Sequence, residues 1–137
     1  MSESTWTGGC LCGGLRYEAR GAPLFMGYCC CTDCRRASGS GFIPFIVVPG
    51  ATVRITGAVL THTLEHADGR EAVRNACAVC GGLVYGGEVG KSDGHTIYAG
   101  SLDDPALFKP SMAIFTRDKP DWVILPPGLV LFEALPS

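Results

Sequence analysis

Cys10-Leu11-Cys12-Gly13-Gly14-Leu15-Arg16-Tyr17 is matched late in the chain by Cys77-Ala78-Val79-Cys80-Gly81-Gly82-Leu83-Val84-Tyr85. Each segment holds a close cysteine pair and then Gly-Gly-Leu-x-Tyr. The match occurs only twice, so it is a pair of knuckle-and-strand units and not a solenoid period. Zn²⁺ has no ligand-field preference and takes four thiolates as a tetrahedron, which two close pairs from distant parts of a chain can supply. A glycine after the second cysteine removes a Cβ near the metal and accepts the positive φ of a tight turn. The repeat therefore groups Cys10 and Cys12 with Cys77 and Cys80 in one closed Cys₄ site. A closed site leaves no position for substrate, so its expected role is to staple a small domain. The competing reading is four buried thiols packing as small hydrophobes; paired spacing with trailing glycines favours zinc.

The middle of the chain carries a different cluster, Cys29-Cys30-Cys31-Thr32-Asp33-Cys34, followed by Arg35 and Arg36 instead of glycines. Alternation along an extended backbone points Cys29 and Cys31 the same way and Cys30 to the other side. Cys29, Cys31 and Cys34 could then hold a metal through three thiolates with the fourth position open, which is the catalytic zinc format. Two alternatives stay open: a second closed site completed by Cys30 or a distant group, and a Cys31–Cys34 redox pair. His62, His66 and His95 lie in strand or turn contexts without metal spacing. Arg35 and Arg36 bring positive charge toward thiolates whose zinc complex has net charge −1. They read either as a clamp for an anionic ligand or as solvated surface arginines. Ser38-Gly39-Ser40-Gly41 offers N–H groups and hydroxyls to the same anion, or is a turn.

The chain has 137 residues, 47% of them apolar and 18% charged, which is the size of one domain spanning 1–137. A formal net charge of −2 argues against nucleic acid as partner. The stretch Met1 to Trp6 lacks the basic start and apolar core of a secretory signal. No apolar run nears the ~20 residues that cross a bilayer. The expected address is the cytoplasm, where thiols stay reduced; 8 cysteines there point to metal binding before disulfides. Nineteen glycines and 9 prolines suit short strands and turns. Strands are predicted at 15–19, 42–48 (buried on both faces), 52–56, 60–65, 72–75, 83–85, 95–99, 122–125 and 129–133. A turn is predicted at Asp68-Gly69. Helix is confined to Thr32–Ser38 and a turn opened by Asp103-Asp104-Pro105. The fold class is all-β.

These motifs, in this order, resemble the glutathione-dependent formaldehyde-activating (GFA) family, also called the CENP-V/GFA domain family, over nearly the whole chain. Gly9-Cys10-Leu11-Cys12-Gly13 with Arg16-Tyr17 is similar to its opening motif. Cys29 to Arg36 is similar to its C-H-C-x-x-C-R-R, and Gly39-Ser40-Gly41-Phe42 to its G-S-x-F. Arg74 with Cys77-Ala78-Val79-Cys80-Gly81 is similar to its second knuckle; Ala99 to Pro105 and Trp122 resemble its C-terminal landmarks. The resemblance implies an Mss4-like fold of short antiparallel sheets and two zinc ions per chain. One would be structural, on Cys10, Cys12, Cys77 and Cys80; the other labile and catalytic, on Cys29, Cys31 and Cys34. It implies a carbon–sulfur lyase-type enzyme that joins glutathione, or another small thiol, to an aldehyde such as formaldehyde. Arg35, Arg36 and Ser40 are the candidate substrate contacts. Cys30 stands where the family usually has histidine, Ala113 near another usual histidine, and Ala76 in place of an aromatic. Two other functions compete: a non-catalytic zinc-stabilised binding module, and a thiol redox sensor using Cys30, Cys31 and Cys34. A homodimer is compatible with either enzyme or module.

Overall fold

In a computed structural model the glycine-punctuated sequence folds as short strands. The structure describes residues 4–67, 69–89 and 94–136, so Asp68 of the predicted Asp68-Gly69 turn lies outside the described residues. In chain order the elements are β1 (Thr5–Gly9), β2 (Arg16–Arg20), β3 (Phe25–Cys29), α1 (Thr32–Ser38), β4 (Ile43–Pro49) and β5 (Arg54–Thr56). Then come β6 (Val59–Glu65), β7 (Glu71–Cys77), β8 (Leu83–Gly86), β9 (Gly94–Tyr98), β10 (Met112–Ile114) and β11 (Val130–Leu131). They form a three-stranded sheet, β1-β2-β5, and an eight-stranded sheet, β11-β10-β3-β4-β9-β8-β7-β6. The all-β expectation holds, with one α-helix among the described residues, at the predicted Thr32–Ser38.

The buried run predicted at 42–48 is β4, in the middle of the large sheet, and its parity organises the molecule. Side chains alternate across a pleated strand. Ile46 and Val48 join Trp6, Leu15, Tyr17, Val84 and Ile97 in the main core, where the small sheet covers one face of the large one. Ile43 and Phe45, with Val47 beside them, join Cys29, Cys34, Tyr98 and Ile114 in a second cluster on the opposite face. β9 follows the same rule: His95 and Ile97 are buried, while Thr96 and Tyr98 line a cleft on the second face. The cage cysteine Cys77 belongs to the first face and the middle cysteines to the second.

Four features differ from the sequence reading. β1 and β3 form strands despite their glycines. Gly8 lies where a Cβ would collide with the Tyr17 ring and the Ser101 carbonyl, and Gly27 where it would come within 2.6 Å of the Met112 carbonyl oxygen. Both are close backbone approaches that only glycine permits. Residues 122–125 form no strand: Val123 is buried, but Trp122 and Ile124 are exposed. The Lys119 ammonium donates to the Val123 carbonyl at 2.9 Å, occupying an acceptor that a ladder would use. The segment 129–133 shrinks to the two residues of β11. Finally, the large sheet is antiparallel except at one edge, where β10 runs parallel to both β3 and β11. This pairing sets Ile114 opposite Cys29.

Candidate metal centre

Two groups of cysteines converge. The sulfurs of Cys10, Cys12, Cys77 and Cys80 all lie within 4.8 Å of one another, as the repeat predicts. Both knuckles are built alike. The Gly13 N–H donates to the Cys10 carbonyl and the Gly81 N–H to the Cys77 carbonyl, each glycine having positive φ (80° and 74°). Backbone N–H groups of Leu15 and Gly14 then point at Cys10 Sγ (3.2 Å) and Cys12 Sγ (3.4 Å). Val79 and Cys80 N–H point at Cys77 Sγ (3.4 and 3.5 Å). Such donors favour the thiolate. The Leu15 N–H, with help from the neighbouring sulfurs, lowers the Cys10 thiol to about 6. Four converging cysteine sulfurs backed by N–H donors, with no fifth metal-binding side chain joining them among the described residues, fit a closed tetrahedral site for a cation.

The second group is Cys29, Cys31 and Cys34, again with sulfurs within 4.8 Å of one another. Cys29 ends β3, and Cys31 is the N-cap of α1, its Sγ accepting the Cys34 N–H at 3.2 Å. The strand end and the first helical turn therefore aim three thiols at one point. Hydrogen bonds from Cys29 and Cys34 hold Cys31 well below the usual thiol range. The same contacts, with burial, drive Cys29 up. Crowded thiols cannot all ionise without a cation between them, so this donor set fits a thiophilic divalent ion such as zinc. Cys30 is fully buried outside the group, its N–H donating to the Ile114 carbonyl at 3.0 Å.

Two of the three cup residues, Cys29 and Cys34, line a cleft of about 380 Å³. Arg74 of β7 is the cation beside it: Nη2 donates to Cys34 Sγ at 3.7 Å, and the neighbouring sulfurs raise the guanidinium's pKa against the effect of burial. Tyr98 lines the same cleft, and burial pushes its phenol up. The sequence reading noted Arg74 only as part of a motif and passed over Tyr98. Period-two alternation from Thr96 would have pointed Tyr98 to the same face. Arg35, Arg36 and Ser40 lie elsewhere. None of them lines the cleft. Arg36 borders a separate groove of about 390 Å³ with Asp33, Leu60, His62 and Leu83, which meets the cleft at Arg74. Ser40 sits past the C-terminal end of α1, its N–H committed to Ser38 Oγ at 3.1 Å, and the Gly39 N–H is committed to the Arg35 carbonyl. That end of a helix presents carbonyls, which repel anions. His62 is exposed; His95 is buried with Nδ1 3.2 Å from the Gly86 carbonyl and Nε2 without a hydrogen-bond partner. Neither belongs to a group of metal-binding side chains among the described residues. No described helix is long and apolar enough to cross a membrane.

Comparison with known proteins agrees with this geometry. The family described as "Glutathione-dependent formaldehyde-activating enzyme" matches residues 5–118. A crystal structure of a Rhodobacter sphaeroides protein, solved as a structural-genomics target, superposes with a TM-score of 0.55 at 16% identity. It covers 92% of this chain and 98% of that one, a likeness of fold. No curated protein matches the chain.

Proposed function

We propose that this chain, a member of the glutathione-dependent formaldehyde-activating family, joins a small thiol, glutathione or another, to an aldehyde in a reversible carbon–sulfur lyase-type reaction. The observation that carries the reading is the convergence of Cys29, Cys31 and Cys34 beside Arg74, with Cys29 and Cys34 lining an open cleft. Zinc held by those three cysteines would supply a Lewis-acidic position able to deprotonate a thiol or polarise a carbonyl. In the reaction the thiolate sulfur bonds to the carbonyl carbon, the carbon–oxygen π bond opens, and the oxygen takes up a proton. Arg74 offsets the negative charge of the cysteine set and keeps it within the cleft. The Tyr98 hydroxyl lines the same space and can donate a hydrogen bond to the oxygen as charge develops there. The other, closed set, Cys10, Cys12, Cys77 and Cys80, would hold zinc for structure alone.

The test is exchange between free and thiol-bound ¹³C-formaldehyde, followed by nuclear magnetic resonance while zinc is titrated into the protein. Zinc-dependent acceleration is expected, abolished by Cys31→Ser. Absence of acceleration with every small thiol and aldehyde tried would overturn the reading.

A further inference from the structure

Apolar side chains stand directly beside the reactive groups in the cleft above the cysteine cup. The reactive groups are Cys29, Cys34, Arg74 and Tyr98. Beside them stand Ile43, Phe45 and Val47, three same-face positions of β4, and Ile114 of β10; Ile43 and Ile114 are the cross-strand neighbours of Cys29 and Phe45 that of Tyr98, while Glu71, Thr96 and the backbone of β7 to β9 complete the lining. A one-carbon aldehyde needs no such wall. The volume, about 380 Å³, falls within the range of roughly 300–1,000 Å³ in which proteins hold organic ligands.

Two glycines keep that space open. A Cβ on Gly94 would stand 3.1 Å from Val47 Cγ1, and one on Gly86 3.1 Å from Tyr98 Oη. Both are strand residues lining the cleft. Each stands at a strand end, where the missing Cβ leaves Tyr98 and Val47 their places on the wall. Charge points the same way. Among the described residues the charged groups lining the cleft are Arg74 and Glu71. Arg74 already faces the cysteine sulfurs, and Glu71 repels carboxylates. A thiol with two carboxylates, as in glutathione, would set anionic groups against aliphatic side chains or Glu71, at a desolvation cost.

We propose that the thiol substrate of this cleft carries an aromatic or branched-alkyl body, seated on Ile43, Phe45, Val47 and Ile114 with its sulfur at the cysteine cup. The reactive head of this ligand rests on the reaction proposed above; the apolar body rests on the wall alone.

Calorimetry on the zinc-loaded protein compares benzyl mercaptan with glutathione. Burial of a ring on this wall is expected to give benzyl mercaptan at least about a 10-fold tighter Kd. Val47→Thr keeps shape while replacing a methyl by a hydroxyl, Ile114→Thr replaces an ethyl arm by a hydroxyl, and each should weaken benzyl mercaptan about 5-fold and leave glutathione unchanged. Benzyl alcohol, which has the ring without the sulfur, should shift the methyl resonances of Val47 and Ile114. Glutathione binding as tightly as benzyl mercaptan, with both variants indifferent, overturns the proposal even if glutathione and formaldehyde are turned over. Tighter benzyl mercaptan binding, lost in both variants, supports it even if no thiol–aldehyde pair reacts; in that case the proposed reaction falls and the ligand class stands.

Discussion

Arg74 and His95 are single residues whose environments dictate testable behaviour. Arg74 is half-buried with its guanidinium on Cys34 Sγ. Replacing it by methionine keeps the aliphatic stem and removes the charge. Metal-free Arg74→Met should therefore alkylate its middle cysteines with a pH profile displaced upward, and the zinc-loaded protein should lose about 10-fold in turnover, the worth of roughly one charge-assisted hydrogen bond. His95 is 1% exposed, and burial pushes its imidazole below the usual 6.5. The folded protein thus prefers the neutral ring, and the unfolded chain binds the proton first. Stability from this group is complete above about 6.5 and falls as pH drops from there toward the lowered folded-state value. Denaturant melts at pH 7.5 and 5.5 should show the loss, and His95→Leu should flatten it.

Helix α1 does two jobs with one residue, since Cys31 both caps it and contributes to the cup. Cys31→Ala removes cap and ligand; Cys31→Ser keeps a capping oxygen and removes only the soft ligand. The alanine variant should melt lower by about 1 kcal/mol than the serine variant, while elemental analysis finds both short of the same metal ion. Strand β3 depends on Gly27, and Gly27→Ala should force β10 away. A loss of about 1–3 kcal/mol is expected, together with weaker metal retention at the cup, because β10 flanks Cys29. These elements also show what was legible in the sequence. Strands β4, β6 and β9 announce themselves through β-branched and aromatic residues, and α1 through the residues from Thr32 to Ser38. Strands β1 and β3 hide behind glycines that are there for close packing, a cause that no local pattern contains. The alternation at 122–125 looked like a strand but met no partner, because the Lys119 side chain engages its carbonyl.

At the scale of the molecule, one set of thiols ties residue 10 to residue 80 across the main core, and the other sits on the far face of the sheet. Metal removal should separate them. Chelator titration is expected to strip the cup first with the circular dichroism unchanged, and then the cage with loss of β signal. Cys12→Ala should collapse solubility where Cys31→Ser does not. Both cysteine groupings were readable from spacing, because knuckles are local. The cleft was not: Arg74, Tyr98 and the wall come from four strands brought together by sheet order, and Arg36, adjacent in sequence to the cup, lines the neighbouring groove instead. The parity of β4 has a corollary. Positions 43, 45 and 47 face the proposed ligand while 46 and 48 pack the main core, and of the first three Val47 is the least buried, so it is the position at which a point substitution changes the cleft at the smallest cost to packing. A one-residue insertion ahead of Ile43 would swap the two roles at a stroke and forfeit both.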